Sequence, residues 1–512
     1  MISPRQPRTW WRWLPSLAAL AVGAALPIAW LLLLAARSVS GPPQDRHLEH
    51  AERHVDDWDW DFWNSSSADA VCGSWPADYA ARHAAIRQAS AAAHAEHVKR
   101  HRRSGVFAWF APPLPPRPYD PAVRFLTFEW LDGCGGFGDV LNGLMLAFVT
   151  AVLDGRALIV RHDCLPAAFL PGAIDWRPTE DVPFEPATVL NPPRSFWDGG
   201  LTREQPAAAV KEGGVVWVDL RNTRVDPETY FKALENATNI RTAANLGMLT
   251  YMATQANGSW AERFKALGMR LPYAVGCFLR FLLRPRVEVQ ELFHSMQQRL
   301  RASTGGDGSS SGSDNSSGSG SSGGDGRRVA VVGIHIRVQD EVVWAGDRGA
   351  PNELSAQDVD RLLENAKLWL DCAEQVEAFW LPTSLAVRWM VITNSAQLKA
   401  ALKSRYPDKV ITTDFVPRHS NVLASAKHGS VASNAFGAAI ESGKQKEARM
   451  FQELITEWLL LSASDAYVIS QSGYSHTAAF FSMRTMAIFE YNRCDPEQPT
   501  EATNMGADWS GI

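Results

Sequence analysis

Residues 303–326 are almost wholly Gly, Ser and Asp, a composition that cannot bury enough apolar surface to offset the entropy of ordering it. Any packed core must form before this run, after it, or both. As a coil of about 25 residues it spans on the order of 28 Å, enough to lie between two domains or to loop from one. On both sides the texture is the same, with apolar strands alternating with amphipathic helices. Such alternation builds mostly parallel sheets, so the expected class is α/β. With 512 residues, 46% of them hydrophobic, the chain can fill one large or two medium cores. Its formal charge of -5 gives no global attraction to nucleic acid.

Before the insert, a strand at Arg124–Phe128, a glycine turn at Gly133–Gly138, a helix and a strand at Ala157–Val160 form a β-loop-α-β unit. The helix carries Val140, Leu141, Leu144, Met145, Phe148 and Val152 on one face and stops at Asp154-Gly155. A strand at Val215–Leu220 and a helix at Val287–Leu300 follow. After the insert, strands are expected at Val329–Ile336, Trp389–Thr393, Val410–Thr413, Ala466–Ser470 and Thr485–Phe489. The helices between them are expected at Asp358–Phe379, Ala396–Ser404, Arg449–Leu461 and from Ser475.

The amino end carries an uncharged run, Leu14–Ala36, which at ~1.5 Å per residue is long enough to cross a hydrocarbon layer of ~30 Å. Pro27 is expected to kink it. Arg5, Arg8 and Arg12 precede it, so the positive-inside rule leaves the short amino terminus in the cytosol and sends the rest into the lumen. A cleaved signal peptide is the alternative, but the run exceeds the usual h-region and no clear A-x-A site follows. The six cysteines show no C-x-x-C pair, which argues against a zinc site and permits disulfides in an oxidising lumen. N-x-[ST] acceptors begin at Asn64, Asn236, Asn257 and Asn315.

Residues 37–121 read as a stem, with an acidic aromatic patch at Asp56–Asp61, an Ala/His/Arg stretch at 77–103 and a Pro-rich run at 111–121. The patch spells D-x-D, but no apolar strand precedes it to present the carboxylates to a metal.

Gly133–Gly138 spells G-x-G-x-x-G between a strand and a helix, as a dinucleotide site requires; a tight strand-to-helix crossing satisfies the same spelling. In Gly333-Ile334-His335-Ile336-Arg337, strand alternation turns Ile334 and Ile336 to one face and His335 and Arg337 to the other. The polar pair then emerges near the carboxyl end of a parallel strand, where α/β folds bind ligands. An Arg fork suits a diphosphate. Ser470-Gln471-Ser472-Gly473-Tyr474-Ser475 follows another apolar strand and opens a helix, offering hydroxyls and N–H groups to a phosphate.

Gly333–Arg337, the Trp389–Asn394 strand and Glu457–Asp465 leading into Ser470–Ala479 resemble, in order, three blocks of the fucosyltransferase superfamily, which includes core and nodulation fucosyltransferases, protein O-fucosyltransferases and plant xyloglucan fucosyltransferases. Gly135–Asp139 through Asp154–Val160 is similar to that family's amino-terminal block. The resemblance implies a GT-B fold of two Rossmann-like domains, GDP-fucose as donor, inversion at the sugar carbon, no resident cofactor and no required metal. By position it implies that Arg337 holds the diphosphate, Ser470 and Ser472 the β-phosphate and Glu457 the guanine edge, with His335, Gly136 and Gly138 lining the donor cleft. Asp139, Asp340 and Glu341 are the candidate bases, with Arg337 offsetting charge on the leaving group. The chain departs from the family at Asp139, where many relatives carry Asn, at Gln339-Asp340, and at Thr393-Asn394, where Thr-Asp is commoner.

The expected organisation is a cytosolic tail 1–13, a membrane anchor 14–36, a stem 37–121, an amino-terminal Rossmann-like domain 122–301, the insert 302–327, a nucleotide-sugar domain 328–495 and a tail 496–512. The expected function is transfer of fucose from GDP-fucose to a glycan or glycoprotein, by a single-pass type II protein of the Golgi membrane. An NAD(P)-dependent oxidoreductase using Gly133–Gly138, and a glycan-binding pseudoenzyme, are the alternatives.

Overall fold

The computed structural model describes residues 71–102, 120, 122–130, 134–184, 187–190, 213–221, 226–245, 259–269, 271–301, 329–338, 344–345, 350–351, 354–381, 385–416, 442–483 and 488–497, all within one compact unit, Asp59–Ile512. The expected tail 1–13, anchor 14–36, acidic patch 56–61 and insert 302–327 lie outside them.

The described chain opens with α1 (Trp75–Arg102). It continues through β1 (Phe125–Trp130), α2 (Phe137–Asp154), β2 (Ala157–His162), α3 (Leu165–Ala168), β3 (Phe169–Pro171), β4 (Ala187–Leu190), β5 (Val215–Leu220), α4 (Pro227–Lys232), β6 (Asn239–Ala244), α5 (Ser259–Ala266), α6 (Leu271–Leu282), β7 (Leu283–Pro285) and α7 (Val287–Arg301). Beyond the insert come β8 (Val329–Ile336), β9 (Trp344–Ala345), β10 (Ala350–Pro351), α8 (Ala356–Trp380), β11 (Ala386–Thr393), α9 (Ala396–Arg405), β12 (Val410–Ile411), α10 (Ser442–Ser462), β13 (Ala466–Ile469), α11 (Gly473–Phe481) and β14 (Ile488–Glu490).

Two five-stranded sheets result, ordered β2-β1-β6-β5-β4 and β12-β11-β8-β13-β14. Every pairing in them is parallel. The chain is therefore α/β with two parallel sheets, as the alternation of elements required. In the second sheet the order reverses between β8 and β13, the place where open α/β sheets form their ligand crevice. β8 is buried along its whole length, with Val332, Ile334 and Ile336 packed into a core shared with α8.

Helix α2 is apolar nearly all round and is the one helix among the described residues long and apolar enough to cross a membrane. It is a core helix, with 16 of its 18 residues buried between the first sheet and α11.

The stem expectation needs correction at its carboxyl part. Trp75, Tyr79, His83, Ile86 and Ser90 form one buried stripe along α1. Trp75 packs its ring on Phe148, Phe278 and Phe281. Tyr79 Oη donates to Arg156 O at 3.1 Å and accepts from Leu158 N–H at 3.1 Å, while His83 Nε2 bonds Leu158 O at 3.0 Å. These side chains satisfy the outer backbone groups of β2, the edge strand, so α1 seals one side of the sheet. Burial holds the His83 imidazole neutral, with its pKa lowered to about 4. Cys72 is disulfide-bonded to Cys277 and ties the start of α1 to α6. Cys134–Cys164 and Cys372–Cys494 complete the pairing of all six cysteines.

Candidate functional site

The site gathers where the carboxyl ends of β8, β11 and β13 meet the first turns of α2 and α11. Strand alternation acts on β8 as expected. Ile334 and Ile336 enter the core under α8, and His335 turns the other way, its ring 5.3 Å from that of Tyr474 on α11. His335 is 5% exposed and its Nδ1 has no partner among the described residues. Burial first, then the charge of Arg337 and the nearness of His476, lower its pKa to about 3, so it is a neutral imidazole.

Arg337 lies one residue beyond β8 with its side chain exposed. Its backbone N–H donates to Ser470 Oγ at 3.0 Å. The next residue, Val338, is gripped twice by Asn394 at the end of β11: Val338 N–H donates to Oδ1 at 2.9 Å, and Nδ2 donates to Val338 O at 2.8 Å.

Asp139 faces this group from the first turn of α2. Protein packed around its carboxyl raises its pKa, and the positive charge of Arg337 pulls it part of the way back. The residue keeps solvent contact, which limits the size of that shift. Asp139, on α2, therefore lies close enough to Arg337, at the end of β8, to feel its charge. The other candidate bases, Asp340 and Glu341, lie outside the described residues, as does Gly133.

Three expected donor contacts are corrected. The Ser470 hydroxyl cannot serve a β-phosphate, because it is already fully used: it donates to His335 O at 2.7 Å and accepts from Arg337 N–H and from Trp369 Nε1–H at 3.2 Å. Gly138 does not line a donor pocket, since a Cβ there would come within 2.3 Å of Gly473 C and Tyr474 N. The space beside it is filled by the backbone of α11. At Gly136 a Cβ would meet Asp139 Oδ2 at 2.8 Å, so the amino end of α2 is covered by its own carboxylate, which repels a second anion.

Ser472 holds the position ahead of α11, half-buried, with no capping bond from its hydroxyl. The helix begins at Gly473, two residues ahead of the expected start at Ser475, so Ser472 stands at its amino terminus, the element with the N–H groups an anion needs.

Glu457 is neither a solvated helix residue nor an open reader of a base edge. It is 6% exposed, and its Oε1 receives Lys399 Nζ at 2.8 Å together with the Thr413 hydroxyl. Lys399 also donates to Thr413 Oγ1 at 2.9 Å and Phe415 O at 3.0 Å. One carboxylate oxygen is therefore committed inside the protein, which leaves at most the other for the expected contact with a guanine edge.

Trp369, Asn394 and Lys399 are the site's residues that sequence reasoning missed as such. Only Asn394 carried a signal, as a departure within a recognised block. Among the described residues no group of three or more His, Cys, Asp or Glu side chains could hold a metal ion.

No family model matches the chain, and no curated protein matches it. Solved structures to which it is similar include Arabidopsis thaliana FUT1, as a mutant in complex with GDP, at 13% identity over 72% of this chain and 69% of that one, TM-score 0.42. They also include fucosyltransferase NodZ from Bradyrhizobium, at 14% identity over 69% of this chain and 91% of that one, TM-score 0.34. NodZ α-1,6-fucosyltransferase soaked with GDP-fucose is similar at 14% identity over 70% of this chain and 92% of that one, TM-score 0.35.

Proposed function

We propose that the chain is an inverting glycosyltransferase of GT-B type that transfers fucose from GDP-fucose to a hydroxyl of a glycan or glycoprotein. The observation that carries this reading is the convergence of sequence blocks far apart in the chain. Gly333–Arg337, Thr393-Asn394 and Ser470–Ser475 resemble fucosyltransferase blocks, and they adjoin at the carboxyl ends of β8, β11 and β13, where the strand order reverses.

In this reading the diphosphate lies between the Arg337 guanidinium and the amino end of α11, with the Ser472 hydroxyl beside it. The acceptor hydroxyl attacks the anomeric carbon in line, from the side opposite the diphosphate. Asp139 takes its proton: the raised pKa makes its carboxylate a stronger base than an ordinary aspartate, and its place on α2 sets it across the cleft from Arg337. Arg337 offsets the charge that builds on the departing diphosphate, the role a divalent cation fills in metal-dependent transferases.

The oxidoreductase alternative loses its support at Gly136 and Gly138, where a pyrophosphate would meet the Asp139 carboxylate and the backbone of α11. The three disulfides accord with a lumenal body held by the run 14–36 in the Golgi membrane. The test is to incubate the lumenal part with a panel of nucleotide sugars and follow binding and slow hydrolysis of each. GDP-fucose should bind and be hydrolysed; binding of a dinucleotide in its place overturns the reading, and glycan binding without nucleotide release makes the chain a pseudoenzyme.

A further inference from the structure

Arg337 stands just past the last residue of β8, where the sheet ladder no longer fixes the backbone. What fixes it instead is a pair of side chains from neighbouring strand ends. Ser470 receives its N–H, and Asn394 holds both the N–H and the carbonyl of Val338. Ser470 is itself oriented, because Trp369 Nε1–H takes one of its acceptor positions and its own proton goes to His335 O. Trp369 is set by a parallel stack on Tyr491, with centroids 3.7 Å apart and planes 11° apart. Three residues along, on the same face of α8, Cys372 is bonded to Cys494, which lies three residues beyond Tyr491. Stack and disulfide therefore clamp the same two segments side by side.

We propose that Trp369, through Ser470, and Asn394 are positioning residues that aim Arg337 into the cleft. This rests on the reading of Arg337 as the diphosphate ligand. The proposal also accounts for the amide at 394, where an aspartate would be the commoner residue in the blocks this chain resembles. Only an amide can both accept from Val338 N–H and donate to Val338 O; a carboxylate would confront that carbonyl with a second acceptor.

The test uses the complete disulfide-bonded lumenal part and the variants Trp369→Phe, which keeps the stack and deletes the Nε1 donor, Ser470→Ala and Asn394→Ala, which removes both bonds to Val338. Two measurements are made. Hydrogen exchange, which needs no ligand, should speed up about tenfold at the Arg337 amide in Ser470→Ala and at the Val338 amide in Asn394→Ala, with exchange elsewhere in β8 unchanged. GDP affinity should fall about five- to tenfold in each variant, the range of one lost hydrogen bond. In an Arg337→Ala background the same substitutions should cost nothing further. Unchanged exchange at 337 and 338 overturns the brace whatever the chain binds. Equal losses with and without Arg337 reduce the residues to general stability. Faster exchange in a wild type that binds no GDP keeps the brace and sinks the donor assignment instead.

Discussion

Gly138 of α2 and Gly473 of α11 stand back to back, so close that a single methyl on Gly138 would lie 2.3 Å from the Gly473 carbonyl carbon. This contact sets how the first turn of α2, with Asp139, is offered to the end of β8, with Arg337. Around it Phe137 packs on Phe451, Trp458 and Tyr474. Neither backbone can yield without moving a helix, so Gly138→Ala should destabilise the protein by ~1–3 kcal/mol and lower turnover beyond what the lost stability explains. Urea unfolding beside kcat checks it; wild-type values in both would show that the helices slide freely.

Arg337→Ala should lower kcat/KM by at least ~100-fold, on the scale of ~2.7–4 kcal/mol for one transition-state donor. Arg337→Lys should restore little, because a point charge does not reproduce the fork. With Arg337 as the fixed cation, turnover should survive EDTA. Loss of activity on chelation, regained with manganese, would take the leaving-group role away from Arg337.

Asp139→Asn should bind GDP like wild type while kcat falls by ~10²–10⁴, as for removal of a general base. Burial raises the Asp139 pKa, so the acid limb of kcat/KM should lie above the ~3.9 of a free aspartate. Arg337 favours the carboxylate form, so its removal should shift that limb further up in pH. A limb that stays in place when Arg337 is removed would mean that another group titrates.

Sequence patterning made β8 readable to the residue, because period two in an apolar run decides which side chains enter the core and which enter the cleft. It failed where a residue's partners come from remote chain. The Ser470 hydroxyl looked available, yet its bonds go to residues 335, 337 and 369. The glycine turn looked like a phosphate cradle, and the neighbour that fills it is residue 473. The stripe on α1 stayed hidden because its inward residues include His83 and Ser90, which pair with backbone carbonyls instead of making an apolar face.

The Lys399–Glu457 pair should behave as a buried ion pair. Lys399→Met alone leaves an uncompensated carboxylate and should cost about 3–5 kcal/mol, while Lys399→Met with Glu457→Gln should recover most of that loss. Denaturant unfolding reads both. Glu457→Gln should lower stability and leave the preference for GDP over UDP and ADP in place; loss of that preference at unchanged stability would return Glu457 to the base.

Asn236 is exposed in the turn before β6, at the amino edge of the first sheet and away from the cleft. If the body is lumenal, Asn236 should carry an N-glycan that leaves activity intact. Endoglycosidase treatment should increase the mobility of the wild-type chain, and Asn236→Gln should remove one step of that shift. Identical mobility of the two chains before and after treatment would count against a lumenal location.

The seal that α1 places on β2 also governs what a break in the chain ahead of β1 would do. A protease cutting between residues 102 and 120 would break the chain but not divide the molecule, because Cys72 would still hold the upstream fragment to Cys277 and Tyr79 and His83 would still cover the sheet edge. Only a cut ahead of Cys72, or reduction of that bond after a later cut, yields a free body. A fragment that began at β1 would expose an open strand edge and be prone to aggregate.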